Sequence, residues 1–157
     1  MNLKKIIATL SFLLLLNCGY EPIYSKKQIN SNYNFSINTI NYIGDNKVNQ
    51  ILKKQLQKIL NKEKKSIELN LNLISNVEKT VTSKDKKGDP LRFSLKIIIN
   101  LEVFESGILK GKTNFEEKFE YKNKSNKFNL KQYEKNIKDN LISILSEEII
   151  RYLNSQK

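Results

Sequence analysis

The stretch from Leu91 to Val103 decides most of what this chain can become. Leu91, Phe93, Leu95, Ile97, Ile99, Leu101 and Val103 take every second position against Arg92, Ser94, Lys96, Asn100 and Glu102, with Ile98 the one apolar residue on the polar side. A period of two suits a strand with one greasy and one wet face; on a helix the same residues would be spread around the whole circumference. So long and one-sided a strand needs neighbours along its edges and a cover over its apolar face.

The neighbours are present in the sequence. Ile67, Leu69, Leu71 and Leu73 alternate with Glu68, Asn70 and Asn72, and the same parity continues loosely through Val77 and Val81. Thr82 to Pro90 is a charged turn, and Glu105 to Gly107 a second, shorter one. After it, Leu109, Thr113, Phe115, Phe119 and Tyr121 alternate with Lys110, Lys112, Asn114, Glu116, Lys118 and Glu120. These three segments predict an antiparallel meander. Ahead of them, Tyr33, Phe35 and Ile37 alternate until the apolar phase slips to Ile40 and Tyr42, which predicts a first strand bulged near Thr39. Gly44 stops that strand, and Asp45 is placed to cap a helix directly after it.

Two amphipathic segments supply the cover. Val48, Ile51, Leu52, Leu56, Ile59 and Leu60 recur at three- and four-residue steps, predicting a helix of about four turns. Its lysines would also suit a membrane surface, but aliphatic residues at this spacing are the core side of a packed helix. The last helix is expected from about Asn129, capped by it, with Gln132 as the capping-box partner and Phe128 stapled onto Tyr133. Its stripe reads Leu130, Tyr133, Ile137, Leu141, Ile144, Leu145, Ile149, Tyr152 and Leu153. The expected fold is α+β, a two-layer sandwich: a four-stranded mixed, largely antiparallel sheet with two helices on one face, in the order β-α-β-β-β-α.

The start of the chain is of another kind. Lys4 and Lys5 precede the apolar run Ile6 to Leu16, which is the length of a signal-peptide core and well short of the ~20 residues that span a bilayer. Leu15, Leu16 and Asn17 then lead into Cys18, the only cysteine, as in a bacterial lipobox; Asn17 stands where Gly, Ala or Ser is usual. The alternatives are an uncleaved anchor helix and an ordinary signal that happens to contain a cysteine. Residues 1–17 are thus assigned to a lipoprotein signal peptide, 18–32 to the lipidated Cys18 and an extended tether, and 33–157 to a single domain. Gly19 in place of Asp directs such a lipoprotein to the outer membrane, and two or three acyl chains would hold it there.

Composition narrows the function. The chain carries +12 at neutral pH, and all but Arg92 and Arg151 of its 28 basic residues are lysine. An anionic partner is implied by that charge, and export argues against nucleic acid. A general lysine and asparagine bias accounts for part of it. There is no histidine, the usual general base and the commonest metal ligand, and the one cysteine is expected to carry lipid, so the sequence offers no nucleophile and base constellation. Asp85 and Asp89 sit in turn chemistry, while the adjacent pairs Glu116/Glu117 and Glu147/Glu148 point to different faces. We therefore expect no catalytic residues, no metal and no cofactor. The candidate binding cluster is Lys84, Lys86, Lys87 and Arg92, which surround the turn between the second and third strands and suit phosphates or acidic side chains. The bland reading is a solvated turn. Lys110, Lys112 and Lys118 would extend the patch, or merely blunt an edge.

The run Cys18-Gly19-Tyr20-Glu21-Pro22-Ile23-Tyr24 resembles the Cys-Gly-aromatic-x-Pro-Leu-Tyr start of the LPS-assembly lipoprotein family (LptE, also called RlpB). The element order of the whole mature chain is similar as well. The resemblance implies a lipid-anchored protein at the periplasmic face of the outer membrane. Its partners would be lipopolysaccharide and a large, LptD-like β-barrel that inserts it into the outer leaflet, and the small protein would plug that barrel and help it assemble. Competing readings are an auxiliary lipoprotein of another envelope export system and, remotely, a periplasmic hydrolase.

Overall fold

A computed structural model of the chain describes residues 35–57 and 65–155. The expected signal peptide, the expected tether with Cys18, Tyr33 and the expected helical positions Ile59 and Leu60 lie outside the described residues. The elements run β1 (Phe35–Gly44), α1 (Asn46–Leu56), β2 (Ile67–Lys84), β3 (Pro90–Glu105), β4 (Ile108–Lys122) and α2 (Lys127–Ser155). The sheet order is β1-β2-β3-β4, with β1 parallel to β2 and the other pairs antiparallel, the mixed sheet the sequence predicts.

Register explains why one face is greasy. Leu73 pairs with Leu101, which pairs with Thr113, and Ile99 pairs with Ser75 and Phe115, so odd-numbered positions of all three strands share a side. On that side Leu71, Leu73, Ile97, Ile99 and Leu101 are fully buried with Val48, Leu52 and Leu56 of α1 and Ile142, Leu145, Ile149 and Leu153 of α2. Each such side chain contributes about 1.5–3 kcal/mol by leaving water, and with a single cysteine no disulfide within the chain adds to it. In β1, Ile37 pairs with Leu69 but Ile40 with Leu71, so Asn38 is the extra residue of a bulge. The bulge brings Ile40 and Tyr42 onto the same covered side as Phe35 and Ile37, which is the phase slip in the sequence.

The β1–α1 corner is tied by polar groups. Asp45 Oδ1 accepts from the amides of Lys47 and Val48, both at 2.9 Å, and the Lys138 ammonium of α2 stands 3.7 Å from its other oxygen. Burial on its own would raise the Asp45 carboxyl, but the Val48 amide, Lys138 and the Lys47 amide outweigh it and hold it below its ordinary value. A depressed carboxylate stabilises the fold above its unfolded pKa and loses that contribution as pH falls through the folded one. Asp45→Ala is therefore expected to cost about 1–2 kcal/mol at neutral pH. The gap from wild type should narrow as pH falls below about 4, which urea melts on either side of that pH will show.

The last helix starts earlier than expected. Asn126, not Asn129, is the cap: its Oδ1 accepts from the Asn129 amide at 3.0 Å, and its carbonyl accepts from Leu130 N at 3.0 Å. The cause is the short connection from β4. Asn123 donates its backbone N–H to the Leu91 carbonyl and its side-chain amide to the Pro90 carbonyl, both at 2.8 Å, so the chain turns at once. Phe128 then falls inside the first turn, 69% exposed, and makes no staple; Tyr133 packs edge-on against Tyr121, with ring centroids 6.0 Å apart. Along the helix Ile142 is fully buried and Ile144 is exposed, the reverse of the expected stripe.

Candidate contact surfaces

The face of the sheet away from the helices bears no cover among the described residues. Pairing aligns Thr39 with Asn70, Asn41 with Asn72 and Glu102, and Asn100 with Asn114 along it, and side chains bond across: Thr39 Oγ1 donates to Asn70 Oδ1 at 2.7 Å, and Asn72 Nδ2 to Glu102 at 3.3 Å. Ile43 and Ile74 are direct partners within this polar face, and Ile98 lies diagonally beyond Ile74. The asparagine alternation in the second strand announced a wet face. The grouping of Ile43, Ile74 and Ile98 was not visible, because it depends on the registers of three strands.

The four residues proposed from the sequence come together at the far end of the meander. Lys84 closes β2 and pairs with Pro90; Lys86 and Lys87 lie in the turn; Arg92 pairs with Ser83 and with Lys122. The turn is built by Asp85, whose Oδ1 accepts from Lys87 N at 2.9 Å and Asp89 N at 2.8 Å, while Gly88 supplies a φ of 91°. Asp85 and Asp89 are thus spent on turn geometry. The four cations are exposed and none has an ion-pair partner among the described residues. The strand-four lysines behave differently. Lys110 reaches Glu105 at 3.1 Å, Lys112 reaches Glu102 at 2.9 Å and Lys118 reaches Glu120 at 3.1 Å, so each is charge-matched and does not extend the patch. Lys122, directly opposite Arg92, extends it instead.

Behind the patch, on the helix side, Lys79 donates to Glu134 at 2.6 Å and lies 4.3 Å from the Phe93 ring centroid, while the Tyr121 hydroxyl donates to the same carboxylate at 2.8 Å. Burial, and then Glu134, push the Tyr121 hydroxyl well above its ordinary value, so it stays protonated and keeps α2 fastened to the sheet. Glu116 and Glu117 point to opposite sides, opposite Ile98 and Ile97 respectively. Among the described residues no group of three or more His, Cys, Asp or Glu could hold a metal, and no helix is long and apolar enough to cross a membrane.

No family model and no curated protein matches the chain. Solved structures do match its fold. Rare lipoprotein B from Shewanella oneidensis superposes with a TM-score of 0.58 at 12% identity, over 75% of this chain and 95% of that one. Lipoprotein B from Nitrosomonas europaea gives 0.58 at 12% identity, over 78% and 84%. A minor lipoprotein from Acinetobacter baumannii gives 0.55 at 12% identity, over 74% and 90%. At this identity the likeness is one of fold: the chain is built as rare lipoprotein B is built.

Proposed function

We propose that this chain is a lipid-anchored, non-catalytic lipoprotein of the outer membrane. It stands at the periplasmic face, plugs the large β-barrel that inserts lipopolysaccharide into the outer leaflet, and helps that barrel assemble. The observation that carries the reading is the fold match over nearly all of rare lipoprotein B, taken with a sole cysteine placed where a lipobox requires it. A compact domain with a hydrogen-bonded polar sheet face suits the wet lumen of a wide barrel. The test is purification of a tagged copy from its own membranes. Stoichiometric recovery of a large β-barrel supports the proposal, whereas recovery of an inner-membrane transporter would assign the chain to another export system.

Within this reading, Lys84, Lys86, Lys87 and Arg92 contact lipid phosphates or acidic groups of the barrel. Replacing all four with Gln is expected to weaken lipopolysaccharide binding by about tenfold or more. Since none of the four has an ion-pair partner to lose among the described residues, the melting temperature should move by no more than about 2 °C. Unchanged binding would return the cluster to the status of a solvated turn.

A further inference from the structure

The opposite end of the sheet carries a feature that neither the core nor the basic cluster uses. β3 and β4 are joined by Ser106 and Gly107, both with positive φ, in the tight two-residue geometry of a hairpin. The next two residues are Ile108, 64% exposed, and Leu109, 51% exposed. Adjacent strand residues face opposite ways, so together they present aliphatic surface on both sides of the tip. Phe104 pairs with Leu109, and Glu105 is matched by Lys110 at 3.1 Å, leaving the tip greasy and nearly neutral. At the same end β1 begins: Phe35 pairs with Ile67, itself 38% exposed, one step of β2's alternation from the Leu69–Glu105 pair.

We propose that the Ile108–Leu109 hairpin tip inserts into the surface of the bilayer that holds the chain's N-terminus, as a second, shallow anchor that orients the domain. This rests on the lipid-anchor part of the proposed function. The described chain enters the sheet at Phe35, at the end where the hairpin lies, and the Lys84–Arg92 turn is at the other end. Two aliphatic side chains at an uncharged turn suit the acyl boundary just beneath the headgroups.

The test uses the full chain, matured in its own host, carrying Ile108→Cys or, separately, Lys86→Cys, and labelled with a nitrobenzoxadiazole probe. The vesicles are of phosphatidylethanolamine and phosphatidylglycerol. Acylation blocks the Cys18 thiol, so an anchored chain takes one label. The expected result is that the probe at position 108 shifts to the blue and loses most of its emission to brominated lipid, while the probe at position 86 does neither. A single-label chain whose position 108 stays as wet as position 86 overturns the insertion and leaves the anchor standing. Protection at 108 that follows protein concentration and ignores brominated lipid also overturns it, in favour of contact between two copies. Two labels per chain would defeat the anchor reading and the insertion with it.

Discussion

Gly44→Ala is expected to cost on the order of 4 kcal/mol, enough to lower the thermal midpoint by roughly 15 °C. Two penalties meet at this residue. Its φ of 101° lies where a Cβ is strained, a cost of about 1–2 kcal/mol by itself. A methyl group there would also press into the Ser75 carbonyl oxygen, which belongs to the neighbouring strand backbone and cannot swing aside as a side chain would. That carbonyl is already engaged by the Asp45 amide at 3.3 Å. The Ser75 hydroxyl donates to Asn49 Oδ1 at 2.8 Å and sits 3.2 Å from the Ile43 carbonyl. Moving Ser75 would thus disturb the α1 cap and the β1–β2 pairing together. Gly88 and Gly107 make the comparison clean, because both have positive φ but a methyl at either meets nothing within 4 Å. Gly88→Ala and Gly107→Ala should show only the conformational part, about 1–2 kcal/mol. Equal midpoints for all three variants in a calorimetric series would refute the close approach at Ser75.

The corner also shows how far the sequence could be read. Gly44 as a strand stop and Asp45 as a cap are local signals, carried by residue type and a spacing of one, and both hold. That Gly44 must approach Ser75 is not local. It depends on β1 pairing in parallel with β2 at one register, and that register depends on the bulge at Asn38. The same division holds at the basic end. Residue type placed Lys84, Lys86, Lys87 and Arg92 around one turn, whereas cross-strand pairing decides which lysines keep an unmatched charge. Lys110 and Lys112 meet glutamates that only the β3–β4 register brings opposite or near them. Asn126 as the cap of α2 escaped because Asn129 offered a better capping-box pattern. The clamp of Asn123 on Leu91 and Pro90, which starts the helix sooner, is a contact between segments far apart in sequence.

The one exposed residue of the expected stripe on the long helix leads to a second large effect. Steps of three, four and seven residues, followed along a straight helix, drift by about 20° per heptad relative to a fixed stripe. From Leu130 to Leu153 this drift rotates the buried side far enough to bring Ile142 and Ser146 in and to turn Ile144 out. The expected stripe is correct at Leu130, Ile137, Leu141, Leu145, Ile149 and Leu153 and fails at Ile144. Ile142→Ala should therefore cost about 2–5 kcal/mol, the sum of lost transfer energy and the cavity left in a close-packed interior. Ile144→Ala should cost nothing measurable and can gain about 0.4 kcal/mol, since alanine is the better helix former at a 43% exposed site. Urea denaturation of the two variants side by side checks this, with equal m-values required for the comparison. If Ile144→Ala proved the damaging change and Ile142→Ala the silent one, α2 would have to be rotated by roughly half a turn on the sheet. In that case Leu145 and Ile149, both fully buried, would turn away from the sheet, and the two-layer core would not exist.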